Sequence, residues 1–273
     1  MGPVIDARGV THAYPDGTRA VDNVDLTIEA GEAVAVVGAN GSGKSTLQLA
    51  LGGLVEPTAG TVEYFGETTD AEAVRDRLGV LLQEPDDYLF NTTVREDIQY
   101  GPAQLGLPEA VADRRTDALA ETLGLSGLLD RPPFRLSGGE KQRAAVASVL
   151  SFDPEVLLVD EPLGAVDAHY RAVILDLIAD FAGTTVVFTP TLDYVPEIAD
   201  RVVCIGREGS IVADGSTREI LTDRSLLERH GLRPPRTVQL FDGLVDPAEI
   251  PLTVPAARQF LSAHDRLPPS VER

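Results

Sequence analysis

The stretch GANGSGKS at residues 38–45 constrains this chain more than any other. It follows an apolar run, AVAVV at 33–37, and precedes a helical pattern that starts near Lys44 and stops at Gly52 and Gly53. A strand, a glycine-rich turn and a helix in that order form a phosphate cradle. The glycines let the backbone curl until several N–H groups point at one phosphate, and the helix N-terminus adds partial positive charge. The spacing G-x-x-x-x-G-K-S is the P-loop pattern. It assigns Gly38, Asn40, Gly41, Ser42, Gly43, Lys44, Ser45 and Thr46 to nucleoside triphosphate binding, with Lys44 on the β- and γ-phosphates and Ser45 on Mg2+. A glycine-rich turn with an incidental lysine is the plain alternative. Against it, the chain has only two lysines, Lys44 and Lys141, among 23 basic residues.

A second acidic motif completes the site. Four apolar residues at 156–159 are followed by Asp160 and Glu161. A buried strand with carboxylates only at its C-terminal end delivers them to the ligand edge of a parallel sheet. Asp160 is expected to hold Mg2+, and Glu161 to act as general base on the water that attacks the γ-phosphate.

The elements around these motifs alternate. The opening stretch reads as antiparallel strands with a turn at Pro15–Gly17. Residues 70–78 read as a short helix and 80–82 as a strand. Helical patterns dominate from about 87 to 150, broken by Pro102, Pro108, Pro132 and Pro133. Strands at 156–159, 185–188 and 202–205 then alternate with a helix over 168–181. The fold class this predicts is α/β: a P-loop NTPase parallel-sheet core, an antiparallel β subdomain and an α-helical subdomain. Residues 1–229 form the main domain. Residues 230–273, where prolines cluster, form a small C-terminal extension.

Composition narrows the partners. The 273 residues carry a net charge of −20, which disfavours nucleic acid as a partner because no broad basic face is available to neutralise phosphates. An acid excess with few lysines also fits a high-salt cytosol, where self-repulsion is screened, so a halophilic source is expected. No apolar run is long enough to cross a bilayer, and the N-terminus lacks a secretory pattern, so any membrane role comes through a partner. The single cysteine, Cys204, lies in an apolar run and reads as a core thiol in a reducing compartment.

The string LSGGEKQR at 136–143 separates this chain from other P-loop proteins. Ser137 and Glu140 are spaced as a capping box, which leaves the paired Gly138 and Gly139 to be explained by close approach of a second phosphate to a helix tip. With these residues the chain, over about 4–229, resembles the ABC ATPases. The resemblance implies that two ATPase subunits, identical or paralogous, pack head to tail. Ser137, Gly138, Gly139 and Glu140 would then meet the ATP held by the facing subunit's P-loop. It also implies that Tyr14 stacks on adenine, that Gln83 senses Mg2+ and the attacking water, and that Asp167 in LGAVDA belongs to a loop crossing the dimer interface.

A narrower similarity, to the ATPases of energy-coupling-factor importers of the cobalt and vitamin type, rests on PDDYLFNTTVREDIQYGPAQLGL at 85–107 and on LRPPRTVQLF and PLTVPAARQFL in the tail. It implies a peripheral subunit on the cytoplasmic side of the membrane. Asp86 and Asp87 would receive arginines of an integral membrane subunit; the plain reading of both is a helix N-terminus complementing its dipole. ATP and Mg2+ are the implied ligands. One departure stands out. The family's histidine near residue 190, and the acid after it, fall here on Pro190 and Thr191. Losing a transition-state contact costs on the order of 10² to 10³ in rate, so hydrolysis is expected to be weak. His169 is read as a surface residue rather than a substitute. A nucleotide-gated dimerising subunit with little hydrolysis is the competing function. DNA-repair forms need a coiled-coil insertion, and translation forms need two ATPase domains in one chain.

Overall fold

The computed structural model describes residues 2–263. His264 and the last ten residues of the extension, 264–273, lie outside the described residues. In chain order the elements are β1 (Pro3–Ala13), β2 (Arg19–Glu29), β3 (Ala33–Val37), α1 (Lys44–Leu51), β4 (Ala59–Tyr64) and β5 (Leu78–Leu81). Three helices follow, α2 (Val94–Gln104), α3 (Glu109–Thr122) and α4 (Gly138–Leu150). Then come β6 (Val156–Asp160), α5 (Ala168–Ala179), β7 (Thr184–Thr189), α6 (Val195–Ile198), β8 (Arg201–Ile205) and β9 (Ile211–Ser216). The chain closes with α7 (Thr217–Thr222), α8 (Arg224–Arg229), α9 (Arg236–Phe241) and α10 (Val254–Ala263).

Six strands form the central sheet in the order β5-β6-β7-β3-β8-β9, parallel except for the β8–β9 pair. β3, β6 and β7 are buried on both faces, which is why they read as unbroken apolar runs rather than alternating ones. One face packs on α1 and on the antiparallel sheet β2-β1-β4, through Leu47, Leu51, Val36, Phe188 and Ile28. The other packs on the helical subdomain and α5, through Val37, Val159, Ile98, Ala145 and Ile174. Cys204 is buried there, and burial pushes its thiol up to about 11, as expected of a core residue. The α/β class, the antiparallel subdomain and the helical insertion all match the reading of the sequence.

Local differences have physical causes. Residues 70–78 are not a helix: a single 3-10 turn, Ala71–Val74, is capped by the Asp70 side chain, and Leu78 already pairs with Val156 in the sheet. Strand pairing outcompetes a helix too short to nucleate alone. Pro102 does not break α2, because it lies in the last turn, where a missing N–H costs one hydrogen bond. The extension has its own small core of Val238, Phe241, Ile250 and Ala257. Among the described residues, no helix is long and apolar enough to cross a membrane.

Candidate functional site: a phosphate cradle at the sheet edge

The cradle leaves the middle of the sheet, where β3 lies between β7 and β8. Its glycines are demanded by close approaches. A Cβ on Gly38 would lie 2.4 Å from Ser42 Oγ and 2.8 Å from the Ile205 carbonyl. Gly43 has φ +91, and a Cβ there would meet the Ala20 carbonyl at 1.9 Å. The loop is thus pinned under β2, tying the antiparallel subdomain to the nucleotide edge.

Lys44 folds back over the curl. Its Nζ donates to the Gly38 carbonyl at 2.9 Å and the Ala39 carbonyl at 3.0 Å. Burial lowers its pKa, and Asp160 and Glu161 work against that shift. An ammonium held by carbonyls alone has no anion in contact, the arrangement that a phosphate would complete. Ser42 Oγ is buried without a partner at the same place.

Asp160 ends β6 and is 1% exposed. Its Oδ2 accepts the Ser45 hydroxyl at 2.5 Å, while Oδ1 is buried with no partner. Burial raises its pKa despite the Ser45 hydrogen bond and the nearby Lys44. A buried carboxylate with a free oxygen beside a serine hydroxyl fits a hard divalent cation: Mg2+ takes oxygen ligands and is usually held by one or two carboxylates plus substrate phosphates. Ser45 and Asp160 are the residues that would hold it. Gln83 is exposed, two residues beyond β5. Its loop is closed by Tyr88, whose hydroxyl accepts from Leu82 N at 2.8 Å and donates to the Val80 carbonyl at 2.6 Å.

Glu161 has φ +43, an uncommon conformation for a side-chain-bearing residue, and its N–H donates to the Phe188 carbonyl at 3.0 Å. Its pKa is raised by burial and then by Asp160, with Lys44 opposing. A carboxylate whose pKa is shifted upward is a better proton acceptor than a free one. Tyr14 lies just past β1, 42% exposed, with its hydroxyl 2.9 Å from Thr46 Oγ1. Its ring lies at the mouth of the cradle, held there by that contact.

The signature string forms a second tip. Ser137 caps α4: its Oγ accepts from Glu140 N at 3.3 Å, and its own N and Oγ both donate to Glu140 Oε2 at 2.7 Å. The paired glycines have a cause inside the chain that the sequence did not reveal. A Cβ on Gly139 would lie 3.0 Å from the Ala165 carbonyl, and one on Gly138 3.3 Å from Ala165 Cβ. The tip thus packs on the loop at 163–168. Asp167 caps α5 by accepting from His169 N and Tyr170 N. His169 is exposed, as expected.

Several positioning residues escaped the sequence. Gln48 on α1 is fully buried and donates to the Leu81 and Leu158 carbonyls, tying α1 to β5 and β6. Arg143 donates to the Leu123 and Gly124 carbonyls and stacks on Tyr170 at 3.9 Å. The one available signal was a polar residue on the apolar face of each helix. Asp86 is exposed and pairs with Lys141 on α4 at 2.6 Å, a surface ion pair that an incoming arginine would compete with. Beside it, a groove of about 600 Å³ between the sheet and the helical subdomain is lined by Leu54, Leu82, Asp87, Tyr88, Phe90 and Tyr100.

Residues 21–164 match the family model described as ABC transporter. The chain is 41% identical to a cobalt import ATP-binding protein CbiO of Rhodobacter capsulatus, covering 88% of each chain. It is 39% identical to an energy-coupling factor transporter ATP-binding protein EcfA of Methanothermobacter thermautotrophicus, covering 88% of this chain and 80% of that one. Its fold is similar to cbiO1 of Clostridium perfringens, part of the ABC transporter complex cbiONQ, with a TM-score of 0.70 at 29% identity, covering 89% and 100% of the two chains. The cradle, the two acids and the signature tip lie within or beside the matched span, and the chain belongs to the ABC transporter family, as an ATP-binding subunit whose ATPase activity is coupled to transport.

Proposed function

We propose that this chain is the ATP-driven motor of an energy-coupling-factor type importer for a metal ion or vitamin. In this reading it works head to tail with a second ATPase on the cytoplasmic side of the membrane. The observation that carries the ATP site is Asp160: one oxygen on Ser45, the other buried and unpartnered beside Lys44. The importer class is supported by the relatives above and by the groove. Its apolar lining fits a helix of an integral membrane subunit, and Asp87 on its rim fits an arginine.

The chemistry follows from the residues. The loop N–H groups and Lys44 hold the β- and γ-phosphates, and Tyr14 stacks on the base. Ser45, Asp160 and Gln83 would hold Mg2+, which when bound would neutralise charge on the phosphate oxygens. Glu161 accepts a proton from water as the water oxygen bonds to the γ-phosphorus and the bridging P–O bond breaks, releasing ADP and phosphate. Ser137, Gly138 and Gly139 of the facing subunit close over the γ-phosphate, so ATP binding favours the closed dimer and hydrolysis reopens it.

Lys44→Ala tests the site. ATP affinity is expected to fall at least about tenfold, the loss of one charge-assisted contact of about 1.5–3 kcal/mol. Unchanged affinity would refute it. Asp87→Arg is expected to abolish co-purification with the membrane subunit; intact transport would refute the docking. A second reading, a nucleotide-gated dimerising subunit that barely hydrolyses, is favoured by Pro190, which follows β7 with no side chain able to hydrogen-bond. ATP-dependent dimerisation with no detectable phosphate release would select this second reading, and an ATPase rate that rises little in Pro190→His would refute Pro190 as the cause of weak hydrolysis.

A further inference from the structure

The loop that follows β7 is gripped from both sides. Inside, Thr189 Oγ1 accepts from the Tyr194 hydroxyl at 2.6 Å and from Thr191 N at 3.0 Å, closing residues 189–194 into a ring. Outside, Asp193 Oδ1 accepts the Arg236 N–H at 2.7 Å, and its Oδ2 lies 3.3 Å from Arg236 Nε. Arg236 is the first residue of α9. The residue before it, Pro235, offers no side-chain cap, so the acid that caps this helix comes from the nucleotide domain.

We infer that Asp193 is a positioning residue for ATP hydrolysis, through which the C-terminal extension sets the loop at the end of β7. The inference rests on the ATPase reading of the site.

The loop has little freedom of its own. Pro190 fixes one φ, and Thr189 before it is restricted to extended backbone. With its ends joined at Thr189, the segment moves as a unit, and Asp193 is where the extension holds it. Its motion reaches the hydrolytic edge by a short path. Phe188, two residues before Pro190, accepts the Glu161 N–H at 3.0 Å, and Thr189 pairs with Val37, the last residue before the cradle. Glu161 sits at φ +43, so its side-chain direction depends on that backbone bond.

The extension is built to act as one body at this point. Its core packs Phe241 edge-on to Phe260, and Thr237 donates to the Leu252 carbonyl at 2.8 Å. It is fastened to the main domain by polar ties, Arg218 to the Ile250 carbonyl and Arg224 to Asp242, both 2.8 Å. Its entry also passes the cradle, since a Cβ on Gly231 would lie 3.6 Å from Ala39 Cβ. The extension therefore runs near the cradle and holds the loop after β7, and Asp193 is its grip on that loop.

The test uses the full chain with ATP and Mg2+, comparing Asp193→Ala, Asp193→Asn and Arg236→Ala by single-turnover hydrolysis, ATP affinity and thermal unfolding. Asp193→Ala is expected to lower the hydrolysis rate about fivefold, the effect of losing one helix cap, with ATP affinity within about twofold. Asp193→Asn keeps an oxygen for the Arg236 N–H and is expected to retain at least about half the rate; Arg236→Ala keeps the N–H and should behave the same way. The inference is overturned if Asp193→Ala leaves the rate unchanged, if affinity falls in step with rate, if the loss disappears once corrected for folded fraction, or if Asp193→Asn is as damaged as Asp193→Ala. Lys44→Ala, run beside these, keeps the two readings apart. Hydrolysis that survives it refutes the ATPase site, whereas a Lys44-dependent rate indifferent to Asp193 refutes only the positioning role.

Discussion

Gln48→Glu changes one atom in a buried side chain and converts a donor into an acceptor. Gln48 Nε2 donates to the Leu81 carbonyl at 2.8 Å and to the Leu158 carbonyl at 3.2 Å, and its Oε1 has no partner. In the protonated variant one O–H still donates, so about one hydrogen bond is lost, about 1 kcal/mol. Ionised, the introduced carboxylate would face two carbonyl oxygens in a site that is 1% exposed. Burial raises such a group from about 4.3 by several units. A shift to about 7 adds about 1.4 kcal/mol per unit, for a total near 5 kcal/mol above pH 7. Because the folded pKa is the higher one, the penalty is small in acid and grows as pH rises. The gap between variant and parent should widen from about 2 kcal/mol at pH 5 to about 5 kcal/mol at pH 8. Gln48→Leu, of similar volume, serves as control. It loses two bonds but also the unpartnered oxygen, and should cost about 1–2 kcal/mol at every pH. The chain has no tryptophan, so urea unfolding followed by far-ultraviolet circular dichroism is the suitable assay. A gap that stays constant between pH 5 and pH 8 would refute the reasoning.

Gly43→Ala should destabilise the chain by at least about 2 kcal/mol and abolish ATP binding, because positive φ alone costs about 1–2 kcal/mol and the new methyl meets a backbone carbonyl; an unchanged urea midpoint would contradict this. Glu140 and Glu219 are held below the usual glutamate value by capping-box bonds from Ser137 and Ser216, and Glu96 by the Thr92 hydroxyl beside its own box with Thr93. Their contribution is present above about pH 4.5 and is lost as pH falls through the lowered values, so Glu219→Gln should show a smaller acid-induced drop in melting temperature than the parent. With a net charge of −20, the melting temperature should rise between 0.1 M and 1 M potassium chloride, as the screening length shrinks from about 10 Å to about 3 Å; a flat profile would speak against adaptation to high salt.

Much of this molecule was legible without coordinates, because the chemistry of triphosphate binding is local. A cradle of backbone N–H groups needs glycines within a few residues of one lysine, so residues 38–45 announce themselves, and the strand and helix beside them follow from periodicity. Asp160 and Glu161 were readable for the same reason: an apolar strand ending in acids has one sensible place in a parallel sheet. Other features were decided by residues far apart in the chain. The paired Gly138 and Gly139 read as ligand chemistry alone, and crowding by Ala165 is a second cause that only the packed loop reveals. Asp86 read as a docking acid, and its ion pair with Lys141, 55 positions away, was not visible in the sequence. Gln48 offered only a polar residue on an apolar helix face, and Asp193 carried no local pattern. Their partners lie on β5, β6 and α9, and only the packed sheet and the docked extension bring those groups within hydrogen-bonding reach. Motifs whose atoms act within one turn of chain are written in the sequence; contacts that depend on closing long loops exist only once the core has formed.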